Sequence, residues 1–176
     1  MRKILRRLEV VEDDWRYVDE PAVVGAPRAL IVTAAALRDE TQGWRSRRDI
    51  DRLGVRIGVA DKLEELAPLL GAVELVAFDF PGPGDGRGYS VARLLRERYS
   101  FAGEVRAVGV VKRDQLFFMA RSGFDAFELS PGEDFDGALE SLRRFSVAYQ
   151  PGAPHAPVRA QRFTAQRSGS STSVNS

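Results

Sequence analysis

Five short apolar runs, at residues 29–32, 55–59, 73–80, 105–111 and 125–129, alternate along the chain with segments of helical periodicity. That alternation constrains the fold most, because strands joined through helices run parallel within one sheet. The run at 73–80 is apolar for much of its length instead of alternating, as in strands covered on both faces. Thr33 is placed to cap an alanine-rich helix reaching about residue 40. Asp61-Lys62-Leu63-Glu64 reads as a capping box with Asp61 at the cap, and apolar residues recur at Leu63, Leu66, Ala67 and Leu70. Ser90 is expected to open a helix to about residue 99 that turns Val91, Leu94 and Leu95 inward. A helix from about Asp114 carries Leu116, Phe117 and Met119 and stops at Gly123. The last helix starts near Asp134 and presents Phe135, Ala138, Leu139, Leu142 and Phe145. The expected class is α/β, about five βα units in a mainly parallel sheet. An open doubly wound sheet and a half-barrel both satisfy it.

Residues 1–20 read as a β-ribbon extension, with Leu8, Val10 and Val11, then Trp15, Tyr17 and Val18, around a turn at Glu12-Asp13-Asp14. Pro21, Gly25 and Pro27 then interrupt the chain. Residues 1–150 are thus expected to form one α/β domain. Residues 151–176, rich in proline, serine and arginine, have too little apolar surface to order themselves and read as a disordered tail.

Charge and composition narrow the function classes. The 26 basic and 25 acidic side chains nearly cancel, so no global field selects nucleic acid or a membrane surface. No window holds 18 consecutive apolar residues, and charges break the basic start before a signal-type apolar run forms. The expected setting is cytoplasmic, without nucleic acid or membrane. The chain has no cysteine, which excludes disulfides, thiolate metal sites and thiol redox chemistry from its own side chains. Its one histidine, His155, lies in the tail, and no metal site is expected.

The run at 73–80 feeds a loop with glycines at 82, 84, 86 and 88, followed at once by a basic helix. Strand ends of this kind are where α/β proteins place ligands. Asp85, Gly86, Arg87, Gly88, Tyr89 and Ser90 therefore form a candidate site for a small anion such as sulfite or sulfate, with the Ser90 hydroxyl and free helical N–H groups as donors. Arg87 supplies a planar donor fork. Arg113, Asp114 and Gln115 at the next strand–helix junction are placed to join it; in the simpler reading Asp114 is only a helix cap. Asp79 and Glu128, at strand ends, are the candidates for a general acid and base. The glycine spacing matches neither a dinucleotide fingerprint nor a P-loop. Arg93 and Arg96 give the helix a basic face suited to docking a partner.

The segments 85–96, 103–109, 113–117 and 123–127, together with Val11-Glu12-Asp13-Asp14-Trp15, resemble the bacterial domain-of-unknown-function family 934. The resemblance covers about residues 1–150. Members carry the label of an oxidoreductase in sulfite reduction, given because their genes lie beside that of the sulfite reductase haemoprotein. It implies a role in assimilatory sulfate or sulfite reduction, with that haemoprotein or its electron donor as partner. Val110 stands where the family usually has aspartate, Pro83 where it has phenylalanine and Ser122 where cysteine is frequent. Two readings follow. One is an accessory protein; the other is an oxidoreductase that borrows a flavin or nicotinamide, since the chain's own residues name no cofactor.

Overall fold

The computed structural model describes residues 2–18, 29–39, 43–44, 50–83 and 85–148. The strands are β1 (Arg2–Arg6), β2 (Glu9–Asp13), β3 (Arg16–Val18), β4 (Ala29–Thr33), β5 (Arg52–Ile57), β6 (Leu75–Phe80), β7 (Glu104–Gly109) and β8 (Ala126–Phe127). The α-helices are α1 (Ala34–Arg38), α2 (Leu63–Leu66), α3 (Arg87–Glu97), α4 (Leu116–Ser122) and α5 (Phe135–Ala148). Strands β3 to β8 lie side by side in chain order and parallel, while β1 pairs antiparallel with both β8 and β2. Their order never reverses, and the crossover helices α1 to α4 pack on the same face. The sheet is a half-barrel, not a doubly wound sheet.

Side-chain alternation separates two cores. Leu30, Val32, Val55, Ile57, Val76, Phe78, Phe80, Val105 and Ala107 point to the face that packs on the helices through Leu37, Leu66, Ala92, Leu95, Leu116, Met119 and Leu142. Trp15, Ala29, Ile31, Leu75, Ala77 and Val108 form a smaller cluster on the opposite face. Only Asp14 and Trp15 separate β2 from β3, the two ends of the strand order. Three Cα steps span at most about 11 Å. A flat sheet of eight strands would hold its edges about 34 Å apart at ordinary spacing. The sheet is therefore strongly curled, and its smaller cluster fills the concave side.

Several local expectations hold. Thr33 Oγ1 accepts from the Ala36 N–H at 3.2 Å, and Gly123 closes α4 in the left-handed region at φ 116°. Asp134 accepts from the Asp136 and Gly137 N–H groups at 3.2 and 2.8 Å and starts α5. Others change. The ribbon turns at Arg7 and Leu8, both at positive φ, because a two-residue hairpin needs that twist. Glu12 and Asp13 instead continue β2, and β3 leaves the ribbon for the far edge of the sheet. Asp61 does not cap α2: its carboxylate accepts from the Gly58 N–H at 2.8 Å, and Lys62 takes the cap position. The breaks at 21–27, the Phe145 side chain and the tail 151–176 lie outside the described residues. No helix among the described residues is long and apolar enough to cross a membrane.

Candidate functional site

The glycine loop is closed on itself. Asp85 accepts from the Arg87 backbone N–H at 3.0 Å and from its guanidinium at 2.9 and 2.6 Å. Those bonds, from the side chain first and then the backbone, hold the Asp85 carboxyl below its usual range. Asp85 thus takes the Nε–Nη2 edge of the Arg87 guanidinium and leaves an incoming anion its Nη1 side. Helix α3 begins at Arg87, with Gly86 at the cap position. Ser90 therefore lies within the helix, exposed, and does not cap it. Gly88 is buried, and a Cβ there would come within 2.5 Å of Phe80 Cε1 and 2.8 Å of Phe78 Cδ1. Its role is to let α3 lie close on β6. The Tyr89 ring meets Phe80 edge-on at 5.9 Å, and burial, then the Asp114 charge, raises its phenol pKa.

The neighbouring candidates divide. Arg113 gives its backbone N–H to Glu133 at 3.1 Å, and its guanidinium lies by Gly137 at the start of α5. Gln115 accepts from the Lys112 N–H at 3.2 Å, the capping bond the simpler reading assigned to Asp114. Arg93 is exposed, whereas Arg96 is tied down. The Arg96 guanidinium donates to the carbonyls of Gly123, Phe101 and Gly103 at 3.1, 2.6 and 2.7 Å and pairs with Asp125 at 3.2 Å. It staples α3 to the ends of β7 and α4, so reversing its charge would test stability before docking.

Asp125 carries a pH signature. Burial raises its pKa, and the Arg96 charge only partly opposes that. The folded state therefore binds this proton more readily than the unfolded chain. Its contribution to stability is fully present below the unfolded pKa and is lost as pH rises through the folded one. Asp125→Asn should flatten this part of the acid stability profile, read as the difference between variant and wild-type melting temperatures across acidic pH. Parallel profiles would remove Asp125 from the account.

The concave face holds a polar network that the sequence reading missed. Arg106 is fully buried and forks onto both Asp13 oxygens at 3.0 and 3.1 Å, while Glu104 accepts at 2.7 Å. Burial works against the guanidinium charge, but Glu104 and Asp13 outweigh it and push its pKa up. Arg2 also pairs with Asp13, donates to the Trp15 carbonyl at 3.1 Å and reaches Glu128 at 3.3 Å. Tyr17 donates to Glu128 at 3.0 Å, under Arg2 at 4.6 Å and Arg56 at 5.6 Å from its ring centre. Burial, reinforced by Glu128, keeps the Tyr17 phenol protonated far above its ordinary range. Arg52 lies 4.4 Å over the Trp15 ring. A signal was present: Arg52 and Arg56 are four residues apart and Glu104 and Arg106 two, in or beside apolar strands, and even spacing marks one face.

Asp79 and Glu128 both face this concave side, on β6 and just beyond β8. Two strand spacings separate them, about 10 Å. That is beyond direct proton sharing. Glu128 is engaged by Tyr17 and Arg2, while Asp79 makes no hydrogen bond or ion pair among the described residues.

A family model described as bacterial protein of unknown function (DUF934) matches residues 54–159, more than half the chain. The chain belongs to that family. The DUF934 match takes in the glycine loop, Asp79, Arg106 and Glu128, while Arg2, Asp13, Trp15 and Tyr17 lie before it. No curated protein matches the chain.

Proposed function

We propose that this DUF934 protein is an accessory factor of assimilatory sulfate or sulfite reduction that docks on the sulfite reductase haemoprotein through α4. The observation that carries the docking is Phe118, an apolar ring left 60% exposed on a helix whose Leu116 and Met119 are fully buried. Phe117 meets it edge-on at 5.4 Å, and Arg121 lies 5.6 Å from the Phe117 ring centre. Aromatic and arginine side chains together are the composition of interface hot spots. Exposed Arg93 on the neighbouring α3 adds positive charge, so the matching surface is an apolar socket with an acidic rim. The pathway rests on the family resemblance and its gene neighbourhood. The closed Asp85–Arg87 pair makes the glycine loop a weaker anion site than its sequence implies.

Phe118→Glu should cut recovery of the haemoprotein with the tagged chain by about tenfold or more, the loss of one hot spot, with melting temperature unchanged. A deletion strain should fail on sulfate, recover on sulfide and be restored by wild type but not by Phe118→Glu. Normal growth of the deletion strain on sulfate would overturn the pathway, and undiminished capture by Phe118→Glu would overturn the docking face. A purified protein that carries flavin or nicotinamide would favour the borrowed-cofactor oxidoreductase.

A further inference from the structure

We propose that the groove between the turn after β7 and helix α5 binds a phosphate group, held by Arg113 from one wall and by Ser141 and Arg144 from the other. The groove shares no lining residue with the glycine loop. It does not rest on the docking assigned to α4.

Three observations carry the site. First, the folded chain leaves a groove of about 280 Å³ lined by Arg113, Gly137, Glu140, Ser141 and Arg144, the volume of about nine waters. Second, Arg113 is held in place yet left without a counter-charge. Its backbone N–H is fixed to Glu133 at 3.1 Å, and its Nη1 lies 3.1 Å from where a Gly137 Cβ would stand. No carboxylate accepts from its guanidinium among the described residues. The nearby carboxylates are turned to backbone groups, Glu133 to Arg113 itself and Asp134 to the N–H groups of Asp136 and Gly137. Third, the opposite wall supplies further donors. Ser141 and Arg144 follow Gly137 at four and seven residues, on one face of α5. The Ser141 hydroxyl, half-buried, makes no hydrogen bond among the described residues. Arg144 is tied to Glu140 at 2.6 Å, in a pair exposed on both sides. Such a pair contributes little, so an incoming anion can share Arg144.

The ligand class follows from charge and shape. Two guanidiniums line the groove against one carboxylate, Glu140, so it selects an anion. A phosphate group carries about two charges near neutral pH and offers three strong acceptor oxygens, enough to meet donors on both walls. A carboxylate presents two oxygens in one plane and meets fewer of them. Gly137 keeps the α5 wall low beside Arg113. A methyl there would crowd Arg113 Nη1 and come within 2.7 Å of Asp134 Oδ2. Both are ends of flexible side chains, so the fold tolerates the methyl while the groove loses room.

The test uses the full chain, labelled with ¹⁵N and titrated at constant ionic strength with inorganic phosphate, glycerol 3-phosphate and acetate in turn. The backbone amide signals of Gly137 and Ser141 should move and saturate with phosphate, and acetate should bind at least about tenfold more weakly. Tighter binding of glycerol 3-phosphate would mark an organic phosphate as the ligand; equal or weaker binding would mark the free ion. Arg113→Gln should weaken phosphate by about tenfold or more and Ser141→Ala by about threefold, with melting temperatures unchanged. Gly137→Ala should weaken phosphate without lowering the melting temperature, because alanine favours the helix. Gly137 and Ser141 amides unmoved by phosphate would overturn the proposal. Equal affinity for acetate would overturn it too, as would an unaltered affinity in Arg113→Gln.

Discussion

Asp13→Ala should lower the unfolding free energy by about 3–5 kcal/mol, the usual cost of removing one partner from a buried ion pair. The reason is that Arg106 is wholly buried and takes both Asp13 oxygens, leaving Glu104 as its remaining counter-charge. Arg2 loses one of its two carboxylate partners at the same time and keeps Glu128. For a chain of this size the melting temperature should fall by roughly 6–20 °C. The double variant Asp13→Ala, Arg106→Met separates an unpaired charge from lost packing. It should recover much of the loss, since a linear apolar side chain carries no charge to bury. If the double variant is no more stable than Asp13→Ala, the loss is one of shape and the electrostatic account of the concave face fails.

Gly88→Ala should cost about 2–3 kcal/mol, whereas Gly82→Ala and Gly86→Ala should stay within about 0.5 kcal/mol of wild type. All three glycines belong to one loop in the sequence, but a Cβ at Gly82 or Gly86 meets nothing within 4 Å. At Gly88 it meets the rings of Phe80 and Phe78, which meet edge-on 4.9 Å apart at the base of α3. The methyl would lift α3 from β6 or push both rings off their rotamers. Denaturant midpoints of the three variants decide the matter. Equal losses at all three positions would mean that the loop needs backbone freedom throughout, as a ligand cradle does, and not one close approach.

The glycine loop shows why a site can be legible while its role is not. Its place after β6 and before α3 was readable, because a strand-to-helix change and turn residues are local signals. That Arg87 is held by Asp85, and that Gly88 serves packing, depends on which atoms stand opposite after folding. Arg96 teaches the same point. On a helical wheel it belongs to a basic face, yet the chain returns at Phe101, Gly103 and Gly123 to present three carbonyls to it.

Taken alone, the sequence determined the strand and helix alternation, the cap at Thr33, the start of the last helix near Asp134 and the stop at Gly123, because each is set by residues within one or two turns of it. It also determined the absence of thiol chemistry, which composition settles. Only the tertiary structure decided that the sheet curls, with the described crossover helices on one face. Only there do Arg2, Asp13, Trp15 and Tyr17 close over Arg106, Glu128 and Arg56, residues up to 126 positions away. Charges inside a strand look like errors of pattern until their partners arrive from the other end of the chain. Desolvation then makes those pairings obligatory, because a guanidinium with no exposed surface persists only where carboxylates meet it.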